Sequence, residues 1–450
     1  MTIFKAYDIR GVYPTELHED SVYKIARSFV LFLQKSNPSS SVSETIVIGQ
    51  DMRTSSPQLA DAIIKGLLSR DAHTIDIGLV ATPTFYFEVA NSKHRGGVMI
   101  TASHNPKEYN GLKMVKENAI NLSIEEMQWV KEHMDDNIDD KSTAGKGKSE
   151  VKHTSLSEQT KHDLTYLRKP IKKFRVVADA ANSMGALTIR ELFKHLPCKL
   201  IELNFELDGT FPAHPADPLA DENLTALKQK VIAEKADIGI ATDGDGDRIF
   251  FVDEKGETIP QPIMRGLIAQ SFLKQSPGEK VCYDIRPGKV TEEMIRAAGG
   301  IPIKTKVGHT NIKETMRKEN AIFAGESSGH FFVRTGHGSY EAPMIVFLKL
   351  LERMSEENRP LSDIIAPYKK YWNSGELNFH IRNKEEIMKK IEKHFHNGKI
   401  DKMDGISIEY KEFWFNVRAS NTEPLLRLNL EAMNKEIGEE RVAEIKKLIA

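Results

Sequence analysis

The stretch TIVIGQD, Thr45–Asp51, decides the fold, because its arrangement returns twice further along the chain. In each copy an apolar strand ends in aspartate and leads through a polar loop into residues with helical periodicity. The later copies are FRVVAD at Phe174–Asp179 and KVCYD at Lys280–Asp284. The helical stretches that follow are QLADAIIKGLL, GALTIRELFKHL and VTEEMIRAAG. One pattern with little literal identity occurs three times, which indicates an internal repeat.

Each copy continues with a short second strand and then a third strand that runs into a polar loop. The third strands are GGVMITA, ADIGIAT and NAIFAG. Strands that alternate with helices favour parallel βαβ units, in which ligands bind at the carboxyl ends of the strands. One such strand ending is expected in any doubly wound protein, whereas three copies with three different polar loops favour a functional role for these loops. We expect the chemistry at Ser103–Pro106, Asp243–Arg248 and Gly325–His330.

The predicted fold class is α/β, with three related domains of mixed, mostly parallel sheets and a C-terminal α+β domain. In the last region, Phe413–Val417 and Leu425–Glu431 alternate like paired strands, and Arg441–Ile449 is typical of a closing helix. The predicted domains are residues 1–152, 153–255, 256–368 and 369–450.

Composition limits the classes of function. Among 450 residues, 63 are Lys or Arg and 64 are Asp or Glu, so no overall field draws the chain to nucleic acid or to a membrane surface. Cys198 and Cys282 are far apart and lack the spacing of metal ligands. No apolar run approaches the roughly 20 residues that span a bilayer, and no signal peptide is evident. We expect a soluble, cytoplasmic protein.

The first loop places Ser103 between an apolar strand and the pair Asn110-Gly111, with His104, Lys107 and Lys113 nearby. A serine that carries phosphate needs exposure, backbone N–H groups and cations, all of which this loop offers. The alternative is a hairpin in which serine and asparagine only form turn hydrogen bonds, with Asn-Gly as the turn.

The second loop alternates Asp243, Asp245 and Asp247 with glycines, a pattern that lets three carboxylates converge on a hard divalent cation. An EF-hand is the competing interpretation. It fails because Arg248 stands where a calcium loop needs glycine, and because the flanking residues read as strands. Three carboxylates leave positions open for water or phosphate oxygens, as in magnesium sites, and Arg248 would offset charge beside the metal.

The remaining loops suit a sugar phosphate. Glu326 and Ser328 offer an acceptor and a donor for sugar hydroxyls, and His309 stands at the end of the preceding strand, although a lone histidine is more often structural. The loop Arg418–Pro424, RASNTEP, offers a guanidinium, short hydroxyls and backbone N–H groups for a phosphate. An exposed hairpin loop with one surface arginine is the alternative.

In order, these motifs resemble the α-D-phosphohexomutase superfamily, most closely the bacterial and archaeal phosphomannomutase/phosphoglucomutase group. The resemblance covers the whole chain and rests on FKAYDIRGVYPTEL, TASHNPKEYNGLKM, ATDGDGDR, KVGHT, GESSGH and FNVRASNTEPLLRLNLEA. It implies four domains around a central cleft, Mg²⁺ as cofactor, and a hexose 1,6-bisphosphate as activator and intermediate. Hexose phosphates are the implied partners of a monomer or homodimer, with no nucleic acid and no membrane.

The resemblance also implies roles for individual residues. Ser103 carries the phosphate and joins Asp243, Asp245 and Asp247 at the metal. The residues that surround the reacting phosphate or act as proton carriers are Arg10, His104, Lys113, Arg248 and His309. The implied substrate contacts are Tyr7, Arg286, Glu326, Ser328, His330, Arg418, Ser420, Asn421 and Thr422.

Two positions depart from the family pattern: Arg286 stands where lysine is frequent, and Glu341 stands near a usual aspartate. Three other functions are compatible with part of the pattern. Phosphoglucosamine mutase would share the serine and aspartate loops, but its clamp would read SGTEP-like rather than SNTEP. A non-catalytic regulator would have lost the serine or a metal ligand, and a phosphatase would need a path for water.

Overall fold

The structure, a computed structural model, describes residues 3–5, 8–36, 45–136, 147–286, 288–381, 383–419 and 425–449. Backbone contacts divide the chain into two compact units. The first unit comprises Met1–Ile259 with Gly329–Leu361, and the second comprises Pro260–Ser328 with Ser362–Ala450. This division does not test the four predicted domain ranges, which stay a prediction.

The first unit begins with a seven-stranded sheet of order β1-β5-β4-β2-β3-β7, in which β6 pairs with β5. Its side chains Phe29, Ile63 and Val130 are completely buried and join three helices to one face of the sheet. The elements are β1 (Ile9–Val12), α1 (Glu19–Ser36), β2 (Thr45–Gln50), α2 (Ser56–Leu68), β3 (His73–Leu79), α3 (Thr82–Asn91), β4 (Gly96–Ile100), β5 (Tyr109–Lys116), β6 (Ile120–Asn121), α4 (Ile124–Glu132) and β7 (Ser149–Val151).

A second sheet follows in the same unit, with four strands in the order β11-β10-β8-β9. Its central strands are apolar and buried, as expected for parallel strands covered on both faces. The elements are α5 (Ser155–Leu164), β8 (Arg175–Asp179), α6 (Gly185–Phe193), β9 (Lys199–Leu203), α7 (Thr225–Ala233), β10 (Ile238–Thr242) and β11 (Ile249–Asp253).

The second unit opens with three parallel strands in the order β13-β12-β14. The elements here are α8 (Gln261–Leu273), β12 (Lys280–Asp284), α9 (Lys289–Ala297), β13 (Ile301–Thr305), α10 (His309–Glu319) and β14 (Phe323–Gly325). The chain then returns to the first unit with an antiparallel hairpin and a long helix. These are β15 (Phe331–Arg334), β16 (Ser339–Glu341) and α11 (Pro343–Glu357).

The last region is a five-stranded antiparallel sheet of order β17-β21-β20-β19-β18, in the second unit. The predicted pair of strands is confirmed as β20 and β21, while the closing helix begins at Lys435 rather than at Arg441. The elements are α12 (Leu361–Ile365), β17 (Trp372–His380), α13 (Lys384–His394), β18 (Lys399–Asp401), β19 (Ile406–Glu409), β20 (Phe413–Ala419), β21 (Leu425–Ala432) and α14 (Lys435–Ile449).

The predicted threefold repeat is confirmed by the strand order. In each copy the first strand lies in the middle, with the second and third strands parallel on either side of it: β3-β2-β4, β9-β8-β10 and β13-β12-β14. Because these strands run in the same direction, the loops after them emerge at one edge of each sheet. In the described part of the chain, no helix is both long and apolar enough to cross a membrane.

The aspartate at the end of each first strand is buried and holds the loops around it. Asp51 accepts hydrogen bonds from the backbone N–H of Arg53 (3.0 Å) and from Ser56 Oγ (2.6 Å). Asp284 accepts from the N–H and the Oγ of Ser327, at 3.1 and 2.9 Å. Asp179 likewise accepts from the backbone N–H of Ala181 (2.9 Å) and from Asn204 Nδ2 (3.0 Å). The aspartates that marked the repeat therefore organise loop backbone.

Candidate active site

Ser103 lies in the loop between β4 and β5, where it adopts a left-handed backbone with φ of 51°. The prediction that this serine is exposed is wrong, because only 2% of it is accessible. Its Oγ donates a hydrogen bond to Asp243 Oδ2 at 2.7 Å and lies 3.3 Å from His104 Nδ1. The serine is thus aimed at the aspartate loop.

The predicted Asn110-Gly111 turn is also wrong, since both residues lie inside β5 and pair with β1. The chain reverses earlier, in the loop that carries Ser103. A Cβ on Gly111 would lie 2.3 Å from the Ile9 carbonyl oxygen, so glycine is needed for the close approach of β1.

Asp243, Asp245 and Asp247 follow β10 and are at most 1% exposed. One oxygen from each carboxylate lies within 4.8 Å of the others, a grouping that could hold a metal ion. The glycines between them are required by the geometry. Gly246 has φ of 72°, and a Cβ on Gly244 would lie 2.2 Å from the Ser103 carbonyl oxygen.

Lys113 of β5 reaches this group and donates to Asp245 Oδ2 and to Asp247 Oδ2, at 2.6 Å each. Thr82 Oγ1 also donates to Asp245 Oδ2 at 2.6 Å. Burial opposes the charge of Lys113, yet the two carboxylates outweigh burial and raise its pKa well above the usual value. Lys113 therefore acts as a fixed positive charge.

One lysine does not neutralise three buried carboxylates. Burial, together with the charges of Asp247 and Asp245, raises the pKa of Asp243 to about 8. Asp245 Oδ1 is buried and accepts no hydrogen bond from the described residues. Both observations fit a site for a divalent cation, because hard cations prefer carboxylate oxygens and would restore the charge balance.

Three further predicted residues lie around the serine and the aspartates. Arg248 donates its backbone N–H to Asp243 Oδ1 at 3.2 Å, and its Nε lies 3.7 Å from Asp243 Oδ2. His330 Nε2 lies 3.2 Å from Asp247 Oδ1 and 3.3 Å from Arg248 Nε. Arg10 donates through Nε to Asp8 Oδ2 at 2.8 Å and through a guanidinium N–H to Asn105 Oδ1.

His104 is the neutral member of this group. The positive charge of Arg248, burial and the charge of Arg10 hold the pKa of His104 well below its usual range. A neutral imidazole can both accept and donate a proton, which suits a residue beside the Ser103 hydroxyl.

A second set of predicted residues lies in the second unit. Glu326 Oε1 accepts from Arg286 Nη2 at 3.2 Å and from the Gly308 N–H at 2.9 Å, and Ser328 Oγ donates to Glu326 Oε2 at 2.8 Å. Arg286 also donates through Nε to Asp284 Oδ2 at 2.7 Å. Burial opposes the charge of Arg286, but the surrounding carboxylates raise its pKa.

Arg418 of β20 meets a glutamate that the sequence did not indicate. Its Nη2 donates to Glu376 Oε2 at 3.0 Å, and Arg427 Nη1 lies 3.2 Å from Glu376 Oε1. Arg286 Nη1 is 3.9 Å from the same carboxylate. Burial favours the neutral acid, yet the three guanidinium groups lower the pKa of Glu376. Glu376 lies on β17 of the sheet that carries Arg418, and no sequence motif marks it.

Other predicted residues lie elsewhere. His309 is the first residue of α10 in the second unit, behind Gly308, whose φ is 116°. Glu341 ends β16 in the first unit and is completely buried, where its charge helps to raise the pKa of Tyr86. The predicted contacts Tyr7, Ser420, Asn421 and Thr422 lie outside the described residues.

Four family models match the chain in sequence. They describe domains I, II and III and the C-terminal domain of phosphoglucomutase/phosphomannomutase, at residues 1–141, 154–256, 263–371 and 376–448. A buried serine beside an acidic loop, together with a separate arginine-rich region in this order of domains, defines a phosphohexomutase, an isomerase that transfers phosphate.

Relatives that match over nearly their full length support the same family assignment. A phosphomannomutase of Methanocaldococcus jannaschii is 38% identical over 100% of this chain and 98% of its own, and one of Escherichia coli K12 is 35% identical over 96% and 95%. A solved phosphoglucomutase/phosphomannomutase family protein of Burkholderia thailandensis is 28% identical and superposes with a TM-score of 0.88, covering 100% of this chain and 97% of that one. The chain belongs to the phosphoglucomutase/phosphomannomutase family.

A more distant structure shares the fold. It is N-acetylphosphoglucosamine mutase of Aspergillus fumigatus, solved in complex with GlcNAc-6P and magnesium. The TM-score is 0.69 at 13% identity, over 100% of this chain and 96% of that chain. At this identity the likeness concerns the fold alone.

Proposed function

We propose that Ser103 carries a phosphoryl group and exchanges it with hexose phosphates, so that hexose 1-phosphate and hexose 6-phosphate interconvert through a hexose 1,6-bisphosphate. The observation that carries this proposal is the hydrogen bond of 2.7 Å from Ser103 Oγ to Asp243, within a buried group of three carboxylates. A nucleophile beside a cation site is the arrangement that phosphoryl transfer uses.

Mg²⁺ would be held by Asp243, Asp245 and Asp247, with a phosphate oxygen on Ser103 as a further ligand. When bound, this ion supplies positive charge to the phosphoryl group in transfer. The unpartnered Asp245 Oδ1 and the raised pKa of Asp243 support the assignment. The fungal enzyme with the same fold was solved with magnesium.

In the transfer step, the bond between phosphorus and Ser103 Oγ breaks while a bond to the sugar hydroxyl oxygen forms. The hydroxyl proton goes to His309 as base. The Ser103 oxygen that leaves takes up a proton through His104, whose Nδ1 lies 3.3 Å from Oγ: the neutral imidazole donates one proton while its other ring nitrogen accepts one from solvent. Arg10, Arg248 and Lys113 keep their charges and stabilise the phosphoryl oxygens. The reverse transfer, from the other end of the bisphosphate, regenerates phosphoserine.

The proposed substrate contacts come from both units. Glu326 and Ser328 bind sugar hydroxyls and Arg286 binds anionic oxygens, with Tyr7 and His330 as further contacts. The phosphate that does not react binds to Arg418, Ser420, Asn421 and Thr422. We propose mannose and glucose phosphates as the substrates, and the support is that full-length relatives are named phosphomannomutase.

The first test is Ser103→Ala, which should abolish mutase activity and remove the mass of one phosphate from the intact protein. Ser28→Ala is a matched control, since Ser28 is equally buried in the same domain and donates only to the Val130 carbonyl. Retained activity of Ser103→Ala would disprove the nucleophile.

The second test identifies the sugar. A coupled assay should compare mannose, glucose, glucosamine and N-acetylglucosamine 1-phosphates, each with a trace of the matching 1,6-bisphosphate. We expect turnover of the first two to exceed that of the amino sugars, and the opposite order would favour a phosphoglucosamine mutase. Turnover that survives chelation and dialysis would contradict the metal assignment.

A further inference from the structure

Arg53, which follows the strand-end residue Asp51, is a completely buried arginine with no role in the proposed transfer step. Its guanidinium donates four hydrogen bonds to backbone carbonyl groups, three in the serine loop between β4 and β5 and one at the start of β5. Nη2 donates to Ser103 O at 2.8 Å and to Asn105 O at 2.6 Å. Nη1 donates to Pro106 O at 2.7 Å and to Tyr109 O at 2.9 Å. One side chain therefore holds three carbonyls of this loop and the first carbonyl of β5.

The loop needs such a partner. Ser103 has φ of 51°, a conformation that costs a residue with a side chain about 1 to 2 kcal/mol and persists only when the surroundings fix it. The Ser103 carbonyl oxygen faces Gly244 closely, so a different backbone conformation would also disturb the aspartate loop. The direction of Ser103 Oγ thus depends on where its own carbonyl is held.

Arg53 is itself fixed from two sides. Its Nε lies 3.2 Å from Asp51 Oδ2, and its backbone N–H donates to the same carboxylate. On the other side its guanidinium stacks on the Phe211 ring, 5.1 Å from the ring centroid. Phe211 belongs to the long loop between β9 and α7, so the contact ties the two sheets of the first unit together at the serine.

We propose that Arg53 is a positioning residue, which rests on the proposed role of Ser103: its guanidinium fixes the serine loop so that Oγ is directed at the aspartates. Arg53 touches neither Oγ nor, in the proposed reaction, the substrate. Lysine cannot replace it, because an ammonium group cannot reach four carbonyls arranged around a planar fork. A displacement of the nucleophile by about 1 Å can cost about 10²-fold in rate.

The test compares Arg53→Lys with Arg27→Lys. Arg27 is a buried arginine of α1 in the same domain, whose guanidinium contacts Ser69 and Tyr23 and not the serine loop. We expect Arg53→Lys to lower kcat about 10²-fold with KM changed less than about threefold, and to slow phosphorylation of Ser103 by hexose 1,6-bisphosphate to the same extent. Arg27→Lys should keep both rates within about threefold.

A spectroscopic readout separates positioning from general loss of structure. The ³¹P resonance of phosphoserine should shift in Arg53→Lys and keep its wild-type position in Arg27→Lys. Phe211→Leu keeps the arginine and removes its aromatic support, so it should lower kcat in the same direction as Arg53→Lys but by less. This second variant tests the proposal even if Arg53→Lys folds poorly.

Equal losses in Arg53→Lys and Arg27→Lys, or a loss confined to KM, would overturn the proposal. So would a wild-type kcat in Arg53→Lys with an unshifted resonance. Ser103→Ala is assayed in parallel, because activity in that variant would refute the nucleophile assignment itself, whatever Arg53→Lys does.

Discussion

The two charged clusters of the candidate site are opposite in composition. In the first unit, three carboxylates surround one lysine, Lys113. In the second unit, three guanidinium groups surround one carboxylate, Glu376. The acidic cluster is buried and also has Arg248 beside Asp243, while Arg286 of the arginine cluster also pairs with Asp284 and Glu326.

The comparison shows which charge of ligand suits each cluster. Uncompensated buried charge is unfavourable unless a ligand of the opposite sign completes the cluster. Lys113 and the more distant Arg248 leave the three carboxylates short of positive charge, which a divalent cation would supply. The guanidinium groups around Glu376 would bind the negative charge of a phosphate. Phosphoryl transfer on a sugar phosphate uses both kinds of group.

The largest effect is expected from Asp243→Asn. This change removes a charge from the acidic cluster, and the acceptor of the Ser103 hydrogen bond, so kcat should fall about 10³-fold, while KM should change less than about threefold because the arginine cluster is untouched. Steady-state kinetics at saturating Mg²⁺ measures both values. Asp253→Asn is the control, as another buried aspartate of the same sheet, and should stay within a few-fold of wild type. A kcat near the wild-type value in Asp243→Asn would contradict the role of the acidic cluster in phosphoryl transfer.

Lys113→Met tests the internal charge of the acidic cluster. Without the lysine, Asp245 and Asp247 lose their partner, so the free energy of unfolding in the absence of metal should fall by about 3 to 5 kcal/mol. Added Mg²⁺ should recover part of this loss. Urea unfolding with and without Mg²⁺ checks the prediction, with Lys349→Met as control, since that buried lysine pairs with Glu352. Equal recovery by Mg²⁺ in both variants would contradict it.

Arg418→Gln tests the arginine cluster. Losing a buried cation that binds phosphate should raise KM about 10²-fold with a smaller change in kcat. Arg427→Gln is a graded control, because the Arg427 side chain is 23% exposed against 8% for Arg418, and its KM should rise about tenfold or less. The assignment fails if the Arg427 variant is the more impaired.

A buried cluster that needs no ligand sharpens the contrast. Hydrogen bonds from His94, Lys152, Ser155 and Ser92 outweigh burial and lower the pKa of Glu88 from 4.5 to about 2. Because the folded pKa is below the unfolded one, this stabilisation is complete above pH 4.5 and disappears as the pH falls toward 2.

The stabilisation from Glu88 should be roughly 2 to 3 kcal/mol near neutral pH. In urea unfolding, the stability gap between wild type and Glu88→Gln should narrow from pH 6 to pH 3.5, with no effect of Mg²⁺ or phosphate. A gap that is constant over this range would show that the carboxylate is not held as described.

The sequence predicted the parts of the site that are local. Asp243, Asp245 and Asp247 stand within five residues of one another, and the repeated strands are visible in short windows, so periodicity and spacing were sufficient. The close approach of Lys113 was not visible, because it joins residues 132 positions apart in the chain. Lys113 lies on β5 of the first sheet and Asp245 follows β10 of the second sheet, so only the tertiary fold brings these positions together.

Glu376 and Ser103 show two further limits. Glu376 meets Arg418 across 42 positions, and its own surroundings in the sequence carry no motif. Ser103 is buried because the aspartate loop packs against it at Gly244, which has no Cβ. The sequence of a loop rich in polar residues, without its neighbours in the fold, predicts exposure. Local sequence patterns identify candidate functional side chains, whereas the tertiary fold determines which side chains contact them.

The strand-end aspartates have a consequence for how such a chain can diversify. In the first copy Asp51 pairs with Arg53, whose guanidinium donates to the Ser103 carbonyl; in the third copy Asp284 accepts directly from Ser327. The carboxylate anchors the root of the neighbouring loop from outside that loop. The residues beyond the root are then free to be exchanged, so one duplicated scaffold can present a nucleophile in one copy and sugar-binding groups in another without redesign of its core.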